Sequence, residues 1–450
     1  MGAPRRRLTL LSLCATTFFV VSGGPYGLEE VVLYHGYART LLLLLVVPLI
    51  WSLPVACMVG ELGGALPETG GYYAWVRRGL GPFWGLQEAW LSIAYSLFDM
   101  AIYPTLFVTY LGRLWPPLLD TSFGAPGWWV GVALIAGCAA WNVLGTRAVG
   151  VGGVVLASAL LAPFVVIVGL GGWRIAHDDV AWTMLRAPAP SGEDSGWFAG
   201  IVVCMWNTMG WDNVSTIASE VRDPQRTYPR AMLLTLGAVV LCYALPVLAA
   251  ASTGLPASAW TAGSWVEVGQ RLGGDALGLA VVVCGAVSAL GMFNALVLST
   301  SRLPVAMAED GWLPRALAVR DPRTDAPTRA IVVAAVLYAA CLGLGLRRLM
   351  ELDVVLYGAA LILELVAFVA LRRREPALPR PFRVPGGSAG ALLLGVPPTL
   401  LLIVALWIGR REEGMFGLRA LTVAALIAAG GPLWWALARR RRRRARPGAD

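Results

Sequence analysis

Apolar stretches recur along the whole chain, each near the ~20 residues that a helix needs to cross a bilayer, with short polar joints between them. About twelve such spans can be drawn, over residues 8–33, 38–57, 83–111, 128–144, 149–172, 197–217, 231–251, 276–298, 330–346, 352–371, 391–408 and 415–437. The longest joint, residues 173–196, holds roughly 24 residues, too few for a separate soluble domain. The pattern therefore predicts a single all-α membrane domain.

Two spans depart from an uninterrupted apolar helix. In the first, Ser22-Gly23-Gly24-Pro25-Tyr26-Gly27 packs three glycines and a proline into six positions. Such a segment does not hold a regular helix, because proline lacks a backbone donor and glycine raises the entropic cost of order. Lipid tolerates the break only where protein or a water-filled cavity covers it. Glu29 and Glu30 follow at once. In the sixth span Asn207, Thr208, Gly210, Asp212 and Asn213 form a softer, more polar interruption around Trp206 and Trp211. Interrupted first and sixth spans are corresponding members of two five-helix halves, which points to an inverted-repeat transporter with its site at the paired breaks. Taken alone, Gly210 reads better as a packing glycine between close helices; paired with the Ser22–Gly27 break it reads as part of the site.

Composition agrees: 57% of residues are hydrophobic, 14% are charged and the mean hydropathy is +0.67. All 36 basic residues are arginine. With the N-terminus in the cytoplasm, 26 of the 36 fall in inner loops and tails, including Arg5–Arg7, Arg77, Arg78, Arg222, Arg302, Arg372–Arg374 and Arg439–Arg444. That bias places both ends inside, and the net charge of +9 then reflects topology. The Arg439–Arg444 run reads as a flank that touches anionic lipid, in preference to a nucleic-acid site. The three N-terminal arginines ahead of an apolar stretch resemble a signal peptide, but no convincing cleavage site precedes Glu29, so an uncleaved first helix is expected. The seven cysteines lie in or at the ends of spans and read as small hydrophobes. Arginine-only basic content fits a GC-rich bacterial genome, hence an inner membrane.

An ionised side chain at the bilayer centre costs roughly 2.5–3.5 kcal/mol on insertion scales, so each one present needs a role. The deep charges are acidic: Glu29, Glu30, Asp99, Asp212 and Glu364. An acidic excess suits a cationic substrate, a proton relay, or both. Glu30 also fits the outer interface, while Glu61, Glu68 and Glu88 read as loop or interface residues. His35 and His177 fall in outer loops and are expected at the surface. Tyr26, Tyr103, Trp206 and Trp211 sit beside the breaks or Asp99, where an aromatic face can hold an ammonium.

The segment Ser22-Gly23-Gly24-Pro25-Tyr26-Gly27-Leu28-Glu29-Glu30 resembles the first-helix motif of the amino acid–polyamine–organocation superfamily, in the form seen in plant-type polyamine uptake transporters. Leu97-Phe98-Asp99-Met100-Ala101-Ile102-Tyr103-Pro104 is similar to that group's third-helix motif. Trp206-Asn207, Trp211-Asp212-Asn213 and Glu220-Val221-Arg222-Asp223-Pro224 resemble its sixth helix and the loop that follows. The loops at Leu66–Tyr72, Met307–Pro314 and Arg380–Gly386 match wider superfamily patterns.

The resemblance implies a five-plus-five inverted-repeat core of the leucine-transporter type, with residues 1–175 and 195–374 as the repeats, 388–438 as two added helices and 439–450 as an arginine-rich cytoplasmic tail. It implies a secondary transporter of amino acids or polyamines in the plasma membrane, working by alternating access and usually coupled to protons. The substrate site would then comprise Ser22, Gly23, Gly24, Tyr26, Gly27, Glu29, Asp99, Tyr103, Trp206, Asn207, Trp211 and Asp212, with Trp206 as gate. Asp99, Asp212 and Glu364 are the candidates for carrying a coupling proton. Ser299 and Thr300 are candidates for holding sodium with carbonyls of the first break, although H+ is preferred over Na+. Asn294 and Leu296 stand where plant-type polyamine transporters tend to carry acids, which keeps a neutral amino acid permease or exchanger open as the alternative. Neither a cofactor nor a metal is called for, and two histidines without an HExxH pair leave little for metal or triad enzymology. A channel would need a continuous lined pore.

Overall fold

The computed structural model describes residues 8–188, 195–344, 346–409 and 419–445. The flank Arg5–Arg7, Arg446 and the start of the twelfth span lie outside them. Among the described residues the chain is helical, with one isolated bridge between Leu8 and Val221 and no strand. Nine helical segments there are long and apolar enough to cross a membrane, and two apolar helices are shorter.

The first span is broken as expected: α1 (Leu10–Val21) stops at the glycine-rich segment, and the chain resumes in α2 (Glu29–Val47). Non-helical backbone at Gly36 inside α2 separates the end of span one from the start of span two. A π-turn at Pro48–Ser52 leads into α3 (Leu53–Ala65), so span two runs eight residues beyond its predicted end at residue 57. Pro48 and Pro54, each without a backbone N–H, flank this turn, where the helical hydrogen-bond ladder is irregular. A short α4 (Tyr72–Leu80) precedes α5 (Pro82–Leu111), α6 (Pro126–Val143), α7 (Thr146–His177) and α8 (Val180–Arg186). The sixth span begins as α9 (Ser195–Trp206), is interrupted as expected, and ends as a 3-10 segment, Asn213–Glu220. Its Ser and Thr side chains compete for backbone partners: Thr216 Oγ1 donates to the Asn213 carbonyl at 2.8 Å. Then come α10 (Pro224–Ala251), α11 (Trp265–Thr300), α12 (Arg302–Glu309), α13 (Thr328–Cys341), α14 (Leu346–Arg374), α15 (Gly387–Gly409) and α16 (Ala420–Ala445).

Among the nine long apolar helices α5 is the most enclosed, with 78% of its most apolar stretch buried against 11% for α16. Helix α5 is therefore the centre of the bundle, while α16 offers its apolar side chains to lipid. The most extensive helix contact is between α5 and α14. They run antiparallel, since the end of α14 meets the segment before α5: Arg374 donates to the Gly79 carbonyl at 2.6 Å.

Several charges expected in loops are interior. Glu61 is fully buried, accepting from Arg372 Nε at 2.9 Å and Val384 N at 2.8 Å, with Arg380 Nε at 3.2 Å. It clamps the end of span two to the loop after α14. Glu88 is also fully buried and accepts from Ser92 at 3.0 Å. Glu68 is exposed, as expected. His35 is buried, contrary to its surface expectation, because Gly200 on α9 leaves room for the ring: a Cβ there would stand 2.0 Å from His35 Nε2. His177 is exposed.

An arginine-rich face gathers Leu8, α4, α12 and the loop after α14. There Arg77 and Tyr73 both reach Asp310, and Arg78 pairs with Glu375 at 2.7 Å. The opposite face carries the loop between α10 and α11, where Tyr37 donates to the Leu255 carbonyl at 2.8 Å and Trp260 donates to Tyr37 at 3.0 Å.

Candidate functional site

Residues 22–28 pass through the bundle without helical structure. Gly24 and Gly27 both adopt φ +87°, a conformation that L side chains rarely take. The backbone groups freed by the break find partners elsewhere, as burial requires. Gly24 N–H donates to Ser22 Oγ at 3.2 Å, Trp265 donates to the Pro25 carbonyl at 2.9 Å, and Ser288 on α11 donates to the Gly23 carbonyl. Glu29 is engaged on the same task. It accepts from Gly27 N–H at 2.7 Å, from Gly263 N–H at 3.1 Å and from the Tyr110 hydroxyl. It thus staples the break to the loop ahead of α11, and Tyr26 closes against α11 by donating to the Val281 carbonyl at 2.9 Å.

The second break is held in the same manner. Tyr243 donates to the Asn207 carbonyl at 2.6 Å, Ser52 to the Thr208 carbonyl at 2.6 Å, and Gly210 N–H to the Tyr357 hydroxyl at 3.1 Å. The Tyr357 hydroxyl donates in turn to Asp212 at 2.5 Å. Gly210 also sits at φ +87°, and a Cβ there would approach the Val20 carbonyl oxygen to 3.0 Å, so the second break packs closely against the end of α1. Gly210→Ala is accordingly expected to lower transport about tenfold, the equivalent of the 1–2 kcal/mol that left-handed backbone costs an L residue. Gly237→Ala, where an added Cβ meets nothing within 4 Å, is the control. Uptake by equal amounts of folded protein measures both.

Between the breaks lies a cavity lined from α1, α5, α9, α11 and α14, with Gly23, Tyr26, Asp99, Tyr103, Trp206 and Asn207 in its wall. It leaves about 20 Å³ for the centre of a water-sized sphere, room for water but not for an amine with several carbons. Among the acids of the described residues only Asp99 reaches its wall. Tyr103 donates to Asp99 at 2.6 Å, and the Trp206 indole N–H lies within reach of the same carboxylate. The Trp206 ring stacks on Tyr103 at 6.3 Å and 28°, while its far edge would stand 3.2 Å from a Cβ on Gly27. One indole therefore covers the acid and touches both breaks.

Six of the twelve expected substrate residues line the cavity, and six do not. Ser22, Gly24 and Gly27 shape the break behind it, and Glu29 is held by three donors. Trp211 is buried and donates to the Thr208 carbonyl at 2.9 Å. Asp212 lies beneath the cavity with Tyr357, in reach of Glu364 and, further off, Glu88. Asn294 is bound to Asn142 at 2.8 Å, away from the cavity wall. Ser299 donates to the Asn213 carbonyl at 2.6 Å, and Thr300 to the Leu296 carbonyl at 2.8 Å, so neither meets a carbonyl of the first break. The α11 hydroxyl that does meet one belongs to Ser288, which sequence reasoning passed over. Asp353, fully buried on α14, was likewise missed. Its signal is its place four residues before Tyr357, on the same helix face. Among the described residues no three His, Cys, Asp or Glu side chains converge as a metal ion would need.

The family pattern described as amino acid permease matches residues 8–425. The chain belongs to that family. Relatives within reach include the polyamine transporter RMV1 of Arabidopsis thaliana, 32% identical over 423 residues, covering 94% of this chain and 84% of that one. The polyamine transporter PUT1 of Oryza sativa subsp. japonica is 33% identical over 430 residues, covering 95% and 78%. An uncharacterized transporter of Mycobacterium tuberculosis is 31% identical over 350 residues, covering 75% and 73%. Amino acid permease membership and apolar helices together make this a multi-pass membrane protein of the amino acid–polyamine–organocation superfamily.

Proposed function

We propose that the protein carries a cationic amine, a polyamine or an amino acid, across the plasma membrane by alternating access and with coupled proton uptake. The observation that carries this reading is Asp99: a buried carboxylate in the cavity wall, roofed by Tyr103 and Trp206, between two broken helices. An ammonium placed there gains a charge-assisted hydrogen bond and an aromatic face in a site shielded from water. The names of the plant relatives support polyamines as the cargo.

Alternating access is supported by what stands on either side of the cavity. Toward one face, Glu29 and Tyr26 tie the first break to α11 and its preceding loop, and Tyr110 ties it to α5. Toward the arginine-rich face, Tyr95 donates to Asn213 at 3.1 Å, and Leu8 bridges to Val221. We take residues 1–175 and 195–374 as the two repeats, residues 388–438 as peripheral additions, and the arginine-rich face as cytoplasmic. Ser299 and Thr300 have their hydroxyls engaged away from the first break, which favours protons over sodium, with Asp99, Asp212 and Glu364 as carriers.

Because Asp99 alone among the described acids lines the cavity, a second reading remains, a substrate with one ammonium such as a neutral amino acid. Uptake of labelled putrescine into proteoliposomes, driven separately by a pH gradient and by a sodium gradient, tests coupling and cargo together. Acceleration by an acidic outside with no response to sodium is expected. Sodium-driven uptake, or flux of leucine but not of putrescine, would overturn the reading.

A further inference from the structure

Resting on the amine-transport reading, we propose that Asp353 is a second ammonium anchor, so that the preferred cargo is an α,ω-diamine or longer polyamine held between Asp99 and Asp353. Tyr95 on α5 and Tyr357 on α14 meet ring to ring at 5.3 Å. From that contact, Asp99 lies one helical turn further along α5, and Asp353 one turn back along α14. The helices are antiparallel, so both steps lead the same way and bring the two carboxylates to one level. Asp99 and Asp212 both lie within electrostatic reach of Asp353, as does Tyr103, which holds Asp99.

Asp353 is fully buried, and among the described residues neither of its carboxylate oxygens has a hydrogen-bond partner. A carboxylate in such a place demands a cation or a proton, and the charges of Asp99 and Asp212 that bear on it are of its own sign. One ammonium on Asp99 leaves Asp353 uncompensated; a second ammonium on the same molecule satisfies it. Tyr103 and Tyr357 belong to the cavity wall and Asp353 does not, so the diamine reaches it by parting these rings. An amino acid, with one ammonium, leaves the second acid unpaired, and the site discriminates against it for that reason.

The test uses full-length protein in proteoliposomes taking up labelled putrescine, with pentane-1,5-diamine and pentylamine as competitors. In the wild type the diamine is expected to compete at an about tenfold lower concentration or less, the discrimination a polar site shows against an analogue lacking the group it binds. D353N is expected to bring that ratio to about threefold or below. D353E, whose carboxylate reaches further, is expected to shift the preferred diamine about one methylene shorter. Equal potency of the two competitors in the wild type overturns the inference, as does an unaltered ratio in D353N or an unaltered chain-length preference in D353E. Equal losses on both competitors in D353N assign Asp353 to a proton or to packing, and overturn it too. If the wild type takes up no amine at all, the amine-transport reading itself fails.

Discussion

Asp99→Asn is expected to reduce uptake of a cationic amine about 30-fold or more in kcat/KM, because truncating one side of a buried, hydrogen-bonded charge pair costs about 2–5 kcal/mol. The change is nearly isosteric. The carboxamide oxygen of the variant still accepts from Tyr103, whose hydroxyl now sits 2.6 Å from the acid, so packing around Trp206 survives. What disappears is the charge. The comparison is Asp212→Asn: that carboxylate is held by Tyr357 at 2.5 Å beneath the cavity and does not line it. Its loss is expected to weaken gradient-driven uptake more than substrate binding. Binding of labelled putrescine to purified protein, set beside uptake by the same preparations, separates the two. Uptake by Asp99→Asn within about threefold of wild type would remove Asp99 from the substrate site.

Glu61→Ala carries the largest expected effect on stability. The carboxylate is fully buried and compensates Arg372 at 2.9 Å and Arg380 at 3.2 Å while accepting from Val384 N–H at 2.8 Å. Arg372 is itself buried, so removing Glu61 leaves a guanidinium without its counter-charge. Breaking a buried pair from one side typically costs about 3–5 kcal/mol, a large part of the stability of an ordinary domain. The expected result is a large fall in the yield of monodisperse protein in detergent and in its melting temperature. Glu375→Ala is the contrast, since its pair with Arg78 is partly exposed at 2.7 Å; a change of at most about 1 kcal/mol is expected there.

The helix breaks were legible in the sequence because their cause is local. Three glycines and Pro25 within six residues defeat a helix whatever surrounds them. The position of Asp99, four residues before Tyr103, was legible for the same reason. Long-range compensation was not. Glu61 reads as a loop acid until Arg372, 311 residues away, is placed beside it. Glu29 reads as a substrate ligand until Gly263 and Tyr110 claim its oxygens. Asp353 fell at the edge of a span drawn from residue 352, where an acid looks interfacial; α14 in fact begins at Leu346 and carries it inside. The 3-10 course of residues 213–220 depends on side chain–backbone bonds that a hydropathy pattern does not register.

The most direct measurement is a structure of the protein with putrescine bound. The expected result is an amine lying between residues 22–28 and 207–212, one nitrogen within about 3 Å of the Asp99 carboxylate and Trp206 over it. An amine bound elsewhere with Asp99 still covered, or an uninterrupted helix through residues 22–28, would contradict it.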